Sequence, residues 1–253
     1  MAHPAKFVGF RDRFVNENLR PHAVEVAVLH GEDVETMRLR HLERALQHVA
    51  VRGRSLLHLE FGVHDGRSIN HLASLVPAAT WHGFDSFEGM PANTKDLKGT
   101  HYMRWTAGMY SRQGHEPAVR PNVQLHKGWF EQTLPPFLAS AAAGTLSPGA
   151  SVGASAHGAS AAAFVHLDAD LYSSTRTVLE ELCSRCLLRN GSVLAFDELY
   201  GNPSLFNHEW KALRESAERR GFEYRFVTWM LHPKSRMGRA ALRITAPPRA
   251  CRR

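Results

Sequence analysis

Several features that would assign a protein to a specialised class are missing from this chain. Its 3 cysteines are too few for a disulfide framework. No apolar run approaches the ~20 residues that span a bilayer, and the N-terminus lacks the apolar stretch of a signal peptide. We therefore expect a cytoplasmic protein that contacts no membrane. Cys183 and Cys186 form a CxxC pair, but no second pair accompanies it, so we expect neither a zinc site nor redox use.

The charge of the chain lacks the pattern of a nucleic-acid-binding protein. The formal net charge is +7, yet the basic residues are scattered and no run of them alternates with aromatic residues. A solvated basic surface, or attraction for an anionic substrate, is the favoured interpretation, and we expect no nucleic-acid partner. Hydrophobic residues make up 43% and charged residues 22% of the chain, which is typical of a globular protein with a substantial core.

Short apolar runs alternate with segments of helical periodicity along most of the chain. This alternation predicts an α/β fold, a Rossmann-like doubly wound and mostly parallel seven-stranded sheet with an N-terminal helical extension. The predicted strands are Leu56–Gly62, Thr80–Asp85, Val123–Gly128, Ala163–Asp168, Ser192–Asp197 and a final antiparallel pair, Glu223–Trp229 and Ala241–Ala246. The predicted helices between them are Ser68–Leu75, Phe130–Ala141, Ser173–Leu188 and Glu209–Arg220.

The composition divides the chain into regions. We predict an N-terminal helical cap over residues 1–54, one catalytic domain over 55–248 and a basic tail over 249–253. Residues 139–162 are rich in Ala, Gly and Ser and without charged side chains, which is typical of a flexible surface loop. Residues 91–121 form a long irregular connection, either a lid over the substrate or an ordinary packed loop. The exposed look of the N-terminal helices is our reason to expect a homodimer.

A glycine-containing turn follows the first predicted strand of the domain. Gly62 and Gly66 allow the backbone to approach a ligand closely, and the next helix offers its N-terminal N–H groups. Asp85 ends the second strand, where a carboxylate accepts hydrogen bonds from the ribose of a nucleoside cofactor. Ser86 and Phe87 follow directly and are placed to pack near the adenine. The combination favours a nucleoside-containing cofactor over a turn with a purely structural role.

Acidic residues end the next two predicted strands. Asp168 and Asp170 follow one strand, and Asp197 and Glu198 follow its neighbour. In extended backbone Asp168 and Asp170 point to the same side, and neighbouring strands bring the second pair within reach. Oxygen ligands of this kind suit Mg²⁺, or else Mn²⁺ or Ca²⁺. The alternative is that Asp168 and Asp170 cap the helix that starts near Ser173, with the other two acids in solvent.

These motifs together resemble one enzyme family. LEFGVHDGRS (59–68), GFDSFEGMP (83–91), GWFEQTLP (128–135), HLDADLYSST (166–175) and FDELYG (196–201) are similar to the blocks of the macrocin O-methyltransferase family, in the same order. The resemblance runs from about residue 56 to about residue 230, and residues 206–212 resemble the helix that follows. It implies a class I methyltransferase that uses S-adenosylmethionine, of a family that often modifies antibiotic sugars.

The resemblance also implies roles for individual residues. Asp168, Asp197 and Glu198 would hold Mg²⁺, and Asp170 would be the general base. Some family members carry Asp-Asp where this chain has Asp197-Glu198. The predicted cofactor site comprises Glu60, Gly62, Val63, Gly66, Ser68, Asp85, Ser86, Phe87, Gly128, Trp129 and Asp168. The acceptor would be a small molecule with a reactive hydroxyl, such as a glycoside or another vicinal diol.

Three other interpretations stay open at the level of sequence. The first keeps the cofactor but not the metal, which gives a methyltransferase of another acceptor. The second is a non-catalytic module that binds S-adenosylmethionine, although clustered like charges are costly in a site that has no use for them. The third, a metal-dependent hydrolase, leaves Asp85 and the glycine turn without a role. His64 and His208 could face the site, and we expect a catalytic role for neither.

Overall fold

The computed structural model of this chain describes residues 13–19, 25–27, 33–53, 55–92, 106–143, 161–201, 205–230 and 237–252. In chain order the strands are β1 Glu25–Ala27, β2 Leu56–Phe61, β3 Trp81–Asp85, β4 Val123–Lys127, β5 Ala161–Leu167, β6 Val193–Gly201, β7 Glu223–Met230 and β8 Met237–Ala246. The α-helices are α1 Val34–Gln47, α2 Arg67–Leu75, α3 Phe130–Ala143, α4 Tyr172–Ser184 and α5 Glu209–Arg220. Short helical turns occur at Val15–Leu19, Leu205–Asn207 and Arg249–Cys251.

The strands form one sheet in the order β1-β7-β8-β6-β5-β2-β3-β4. Every neighbouring pair is parallel except the two that involve β8, which runs antiparallel to β6 and to β7. The predicted Rossmann-like architecture, with seven strands and a final antiparallel pair, is confirmed. β1 adds a short eighth strand from a segment that we predicted to be helical. The strand order reverses between β2 and β5, and the ligand site of such a sheet lies at that point.

Apolar side chains cover both faces of the sheet. Leu57, Leu59 and Phe61 of β2 pack into one cluster with the helices of that face, while Trp81 and Phe164 belong to a second cluster on the other face. A sheet buried on both sides explains why these strands are continuous apolar runs rather than alternating ones. Among the described residues, no helix is both long and apolar enough to cross a membrane.

Helix α1, within the predicted N-terminal cap, packs against the sheet. Its N-cap residue is Asp33, whose side chain accepts the backbone N–H of Thr36 at 2.9 Å and so caps the first turn. The buried residues of the helix are Met37, His41, Leu42 and Ala45. The two ends of the predicted loop 139–162 are helix and strand in the structure, because α3 continues to Ala143 and β5 begins at Ala161. The rest of that loop lies outside the described residues, as does 231–236 between β7 and β8.

The small number of cysteines led us to expect no disulfide framework, but the structure contains one disulfide. Cys186 forms a disulfide with Cys251, 65 positions along the chain, and the CxxC partner Cys183 is buried as a free thiol. Helix α4 ends at Ser184 rather than continuing to Leu188, because Cys186 takes a left-handed conformation with φ 56°. The disulfide therefore ties the short turn at the end of the described chain to the end of α4.

Candidate active site

One cavity of about 820 Å³ opens at the carboxyl ends of the central parallel strands. Its wall brings together most of the predicted site residues, from both the glycine turn and the acidic strand ends. These are Gly62, Val63, Asp85, Ser86, Gly128, Trp129, Asp168, Asp170, Asp197 and Glu198. Glu60, Gly66, Ser68 and Phe87 are buried, and the described wall does not include them. The location agrees with the rule that ligands of open α/β sheets bind at this edge.

The turn after β2 requires its glycines. Gly62 has φ 89°, and a Cβ at this position would collide with the backbone carbonyl of Asp168. Gly66 has φ 80° and is the N-cap residue of α2, where it accepts the backbone N–H of Asn70 at 3.0 Å. Both positions are in the left-handed region, which favours glycine. The turn therefore lies directly against the loop that carries the first predicted metal ligand.

Asp85 organises this turn through backbone hydrogen bonds. Its Oδ2 accepts the N–H groups of Val63 at 2.9 Å and of His64 at 2.8 Å. Its Oδ1 accepts the N–H of Phe87 at 2.7 Å. Oδ1 keeps a further lone-pair site, whereas Oδ2 already accepts two N–H groups, and the residue is on the cavity wall. Asp85 is thus held rigidly in a position from which it can also accept hydrogen bonds from a ligand.

Glu60 lies behind the cavity wall. Its side chain is fully buried, accepts a hydrogen bond from Ser68 Oγ at 2.8 Å, and lies 3.0 Å from His166 Nδ1. Burial would lower the pKa of His166, but the carboxylates of Asp197 and Glu60 raise it to about 9. These contacts favour the protonated imidazolium form of His166. Its Nε2 lies 3.6 Å from Asp197 Oδ1, so it connects the cofactor turn to the acidic strand ends.

Two arginines that we did not predict compensate the acids at the ends of β5 and β6. Arg239 of β8 donates to both oxygens of Asp197, at 3.0 and 2.9 Å. Arg38 of α1 donates to Asp168 Oδ2 at 2.6 Å and to Asp197 Oδ1 at 3.1 Å. Burial alone would raise the pKa of Asp197, yet Arg239, Arg38 and His166 hold it well below its usual range. Asp197 is therefore ionised and fully engaged by side-chain cations.

Asp170 and Glu198 form a second, uncompensated pair. Burial and the neighbouring Glu198 raise the pKa of Asp170 well above its usual value. Burial and the charge of Asp168 raise the pKa of Glu198 to about 8. The pKa of Asp168 is also raised, to about 6, by burial and by Asp197, despite the opposing effect of Arg38. Raised values of this kind favour shared protons or a bound cation between the carboxyl groups.

Glu209, the first residue of α5, is a further buried acid of this region. Its Oε2 accepts the backbone N–H of Glu198 at 3.1 Å, and its Oε1 accepts that of Ala169 at 3.4 Å. Burial and Asp168 raise the pKa of Glu209 well above its usual value. The carboxyl group links the two acidic loops through their backbones. Its location at the start of a predicted helix is the one signal in the sequence that could have drawn attention to it.

The local structure around the acids differs from two expectations. β6 does not stop before the acidic pair but continues through Asp197 and Glu198 to Gly201, with an irregularity in its pairing to β8. Asp170 has φ 56°, so the segment after β5 is not extended at this residue. The N-cap residue of α4 is Leu171, and no side chain caps that helix. The alternative interpretation, in which Asp168 and Asp170 cap the helix, is therefore wrong.

The donor chemistry fits a hard divalent cation. Oε2 of Glu198 is a buried carboxylate oxygen without a hydrogen-bond partner among the described residues, and Asp170 lies beside it. His166, Asp168 and Asp197 also offer ligand atoms that lie within 4.8 Å of one another. The neighbouring carboxylates raise the pKa of His166, which favours its protonated form, and that form does not bind a metal. Asp197 would exchange an arginine contact for the ion, whereas Asp168 can offer Oδ1 while Oδ2 keeps Arg38, and Oε2 of Glu198 would give up no hydrogen bond.

The two histidines that we considered occupy different places. His64 lies on the cavity wall with φ 47°, and its ring meets that of Tyr110 edge to face, with centroids 6.3 Å apart. His208 is buried, 5% exposed, and precedes α5. Trp129 is on the wall directly after β4, where it can pack against a ligand. Tyr110 and Met109, both exposed, complete the rim on this side of the cavity.

Known structures share this fold. CalS11, described as a calicheamicin methyltransferase, matches with a TM-score of 0.54 and 23% identity over 96% of this chain and 94% of that one. An apo structure of CalS11, described as a TDP-rhamnose 3'-O-methyltransferase, gives 0.49 and 22% over 96% of both chains. Precorrin-6y C5,15-methyltransferase from Geobacter metallireducens gives 0.40 and 10% over 89% of this chain and 95% of that one. At 23% identity the likeness to the first of these structures concerns the fold alone. No curated protein sequence matches the chain significantly.

A match to a protein-family model shows the class of protein, which the structural matches alone do not show. The model, described as a methyltransferase domain, matches residues 59–199, more than half of the chain. This range contains the glycine turn, Asp85 and the acidic strand ends. Fold and family together define an S-adenosylmethionine-dependent methyltransferase, which confirms S-adenosylmethionine as the predicted cofactor and methyl transfer as the predicted class of activity. The chain therefore belongs to the family that this model describes, the methyltransferase domain family.

Proposed function

We propose that this protein is an O-methyltransferase that transfers the methyl group of S-adenosylmethionine to a hydroxyl of a sugar or another small vicinal diol. One observation carries the proposal: the acidic strand ends open into the same cavity as the glycine turn and Asp85. A volume of about 820 Å³ lies in the upper part of the range for small-molecule sites, which leaves room for cofactor and acceptor together.

The cofactor would bind along the wall from the glycine turn to β4. Gly62 and Val63 would contact its methionine part, with Glu60, Gly66 and Ser68 supporting the turn from behind. Asp85 would accept hydrogen bonds from the ribose hydroxyls, because backbone N–H groups already fix its carboxylate. The adenine side of the site would comprise Ser86, Phe87, Gly128 and Trp129.

Asp170 is our candidate for the general base. Asp170 lies on the cavity wall. Burial raises its pKa, which makes the ionised carboxylate a stronger base but also favours the protonated form, so the base acts from the ionised fraction. Asp170 would accept the proton of the acceptor hydroxyl as its oxygen attacks the methyl carbon. An O–C bond then forms as the C–S bond breaks, S-adenosylhomocysteine leaves, and the proton passes from Asp170 to water. Positioning of the two reactants supplies most of the catalysis in this scheme.

We also propose Mg²⁺ as a cofactor. The side chains that would hold it are Glu198, Asp168 and Asp197, as the motif resemblance implies, with Asp170 adjacent. A bound Mg²⁺ would lower the pKa of a neighbouring hydroxyl and fix the orientation of a vicinal diol. The acceptor class rests on the resemblance of the motifs to macrocin O-methyltransferases, since the acidic cluster alone selects a hydroxyl but not a sugar.

A metal-independent methyltransferase is the second candidate, and a specific observation favours it. Arg38 and Arg239 already supply positive charge to Asp168 and Asp197, as a metal ion would. In that case Asp170 and Glu198 would share a proton, and the guanidinium groups would balance the remaining negative charge of the site. The two candidates differ in a single measurable property, the response of activity to chelation.

The test combines binding with turnover. Calorimetry with S-adenosylhomocysteine should show stoichiometric binding, and its absence would remove the cofactor proposal and all that depends on it. Methyl transfer from labelled S-adenosylmethionine should then be measured on glycosides and catechols, with amines as the contrasting acceptors. We expect transfer to vicinal diols, loss of activity in EDTA and recovery with Mg²⁺. Activity that survives EDTA supports the metal-independent candidate, and transfer to amines alone would contradict the O-methyltransferase proposal.

A further inference from the structure

We infer that Arg38 of helix α1 is a positioning residue of the reaction centre, which fixes Asp168 against Asp197 beside the cofactor turn. The inference rests on the proposed function, because its consequence is measured as methyl transfer. It gives the N-terminal helix a role that none of the sequence motifs indicates. Arg38 lies outside the matched family range of 59–199 and outside all of the blocks that carry the resemblance.

The contacts of Arg38 converge on one point. Nη2 donates to Asp168 Oδ2 at 2.6 Å and lies 3.5 Å from Ser68 Oγ, while Nε donates to Asp197 Oδ1 at 3.1 Å. Nη1 is 3.3 Å from Glu35 one turn earlier in the helix. The side chain is 13% exposed and lies on the cavity wall. A single guanidinium therefore joins the ends of β5 and β6 to the first turn of α2.

Helix α1 holds Arg38 firmly at this position. Met37 and Leu42, on either side of it in the sequence, are buried in the core. His41, one turn further on, is also buried, and its Nε2 lies 3.1 Å from Thr228 Oγ1 of β7. Because these contacts fix the rotation of the helix, the long side chain of Arg38 has little freedom to point elsewhere. The guanidinium fork presents donors in a fixed geometry, which a lysine cannot reproduce.

The two acids depend on Arg38 to different degrees. Asp197 keeps the bidentate contact with Arg239 when Arg38 is removed. Asp168 has its ion pair with Arg38, and no other ion pair to Asp168 is present among the described residues. Removal of Arg38 therefore leaves Asp168 close to Asp197 with only the more distant charges of His166 and Arg239 to offset the repulsion, which will turn its side chain away. A displacement of about 1 Å at a reacting centre can lower the rate about a hundredfold.

Cofactor binding should respond much less. Asp85 and the N–H groups that it accepts make no contact with Arg38, and the approach of Arg38 to Ser68 is long, at 3.5 Å. A positioning role therefore predicts a lower kcat with nearly unchanged affinity for S-adenosylhomocysteine. A role in the packing of α1 alone would instead lower thermal stability and both kinetic parameters together.

The experiment is chemical rescue of Arg38→Ala. We expect kcat to fall about a hundredfold and to recover partly when guanidinium is added far below the concentrations that unfold proteins, because the small cation can enter the vacated space from the cavity. Sodium chloride at the same ionic strength should not rescue. Affinity for S-adenosylhomocysteine, measured by calorimetry, should stay within about threefold of wild type. Arg40→Ala, an exposed arginine of the same helix, is the matched control and should behave as wild type in every assay.

The outcomes separate this inference from the proposed function. A wild-type protein that methylates no hydroxyl refutes the function, whereas an active wild type with an equally active Arg38→Ala variant refutes the inference. Failure of guanidinium to rescue a folded variant, or an equal loss of cofactor affinity, also refutes it. If the alanine variant does not fold, Arg38→Lys decides, because it keeps the charge without the fork. A lower kcat with intact binding supports the inference, and wild-type kcat refutes it.

Discussion

The carboxylates on two sides of the cavity are held by different kinds of contact. We call the wall around Asp85 the proposed cofactor side, and the wall around Asp168, Asp170, Asp197 and Glu198 the proposed acceptor side. On the cofactor side, Asp85 accepts three backbone N–H groups from its own loop and from the turn after β2. On the acceptor side, Asp197 is held by side chains from distant parts of the chain, Arg38 at a separation of 159 residues and Arg239 at 42. The backbone of two loops fixes the first side, whereas the second exists only when the whole fold is assembled.

This difference has a physical consequence for function. Backbone donors cannot be rearranged without unfolding the loop, so the cofactor side is preorganised and insensitive to the charge around it. The acceptor side contains carboxyls that exceed their compensating cations, and the pKa of Asp170 and that of Glu198 are both raised by burial and by neighbouring acids. Its proton and cation content can therefore change when an acceptor binds. We expect substitutions on the two sides to separate binding from turnover.

The largest expected effect is that of Asp170→Asn on the acceptor side. The amide keeps the size of the side chain but cannot accept the hydroxyl proton, so kcat should fall roughly 10²- to 10⁴-fold. Affinity for S-adenosylhomocysteine should be preserved, because no hydrogen bond or ion pair joins Asp170 to the turn after β2 within the described part of the chain. Steady-state kinetics and calorimetry on the same preparation measure the two quantities.

The control for Asp170→Asn is Glu131→Gln, which removes an exposed carboxylate from the same cavity wall. It should leave kcat unchanged. A kcat for Asp170→Asn that stays close to the wild-type value would show that another group takes the proton, and the base assignment would be wrong.

The second effect, of intermediate size, is that of Asp85→Asn on the cofactor side. An amide NH₂ would face backbone N–H donors, so at least one of the hydrogen bonds to the turn is lost and the turn loosens. Hydrogen bonds to charged groups contribute about 1.5–3 kcal/mol, which predicts a roughly tenfold to hundredfold loss of affinity for S-adenosylhomocysteine. At saturating cofactor, kcat should change much less.

Asp65→Asn is the matched control, because Asp65 lies in the same turn and bonds only to Arg67 among the described residues. Its affinity for S-adenosylhomocysteine should be close to that of wild type. An Asp85→Asn variant that binds normally but turns over slowly would reverse the comparison between the two sides.

The sequence predicts the glycine turn and the location of Asp85 because their signals are local. Gly62 and Asp85 stand at the ends of apolar runs, Gly66 follows in the same turn, and the ends of parallel strands meet at one edge of the sheet. The pairing of β5 with β6 likewise brings Asp168 and Asp197 together as predicted. These features follow from periodicity and strand order, which a single sequence carries.

The compensating residues of the acceptor side do not follow from local patterns. Arg38 is one of many scattered arginines until helix α1 is docked, and Arg239 comes beside Asp197 only through the pairing of Phe196 with Ala240. The disulfide between Cys186 and Cys251 is equally non-local. Ion pairs and crosslinks between distant segments are products of the tertiary fold, so neither spacing nor composition reveals them.

The smallest expected effect concerns the stability of the fold at acidic pH. It tests whether strands β3 and β4, which lead into Asp85 and Gly128, respond to a change of charge. His82 of β3 and His126 of β4 lie in the strands that precede Asp85 and Gly128 and are not on the described cavity wall; His82 Nδ1 is 3.2 Å from His126 Nε2. Burial lowers the pKa of His82 to about 3, with a further contribution from His126. Burial lowers the pKa of His126 to about 4. Their rings also pack on Phe137, at centroid distances of 4.6 and 4.7 Å.

The direction in which stability changes with pH follows from the number of protons that the folded and unfolded states bind. Because the folded-state values lie below the ordinary 6.5 of histidine, the unfolded chain binds more protons as the pH falls through 6.5 towards 4. The stability that these neutral histidines contribute is therefore complete above that window and is lost within it.

For His82 the loss should be roughly 1 kcal/mol at about pH 6 relative to about pH 8, measured by urea unfolding. The double variant His82→Phe, His126→Phe removes both titrations and both hydrogen-bonding partners, so its stability should depend less on pH. His115→Gln, at an exposed histidine, should keep the wild-type slope. An unchanged slope in the double variant would place the acid sensitivity in His41 and His58, two other histidines whose pKa is lowered by burial.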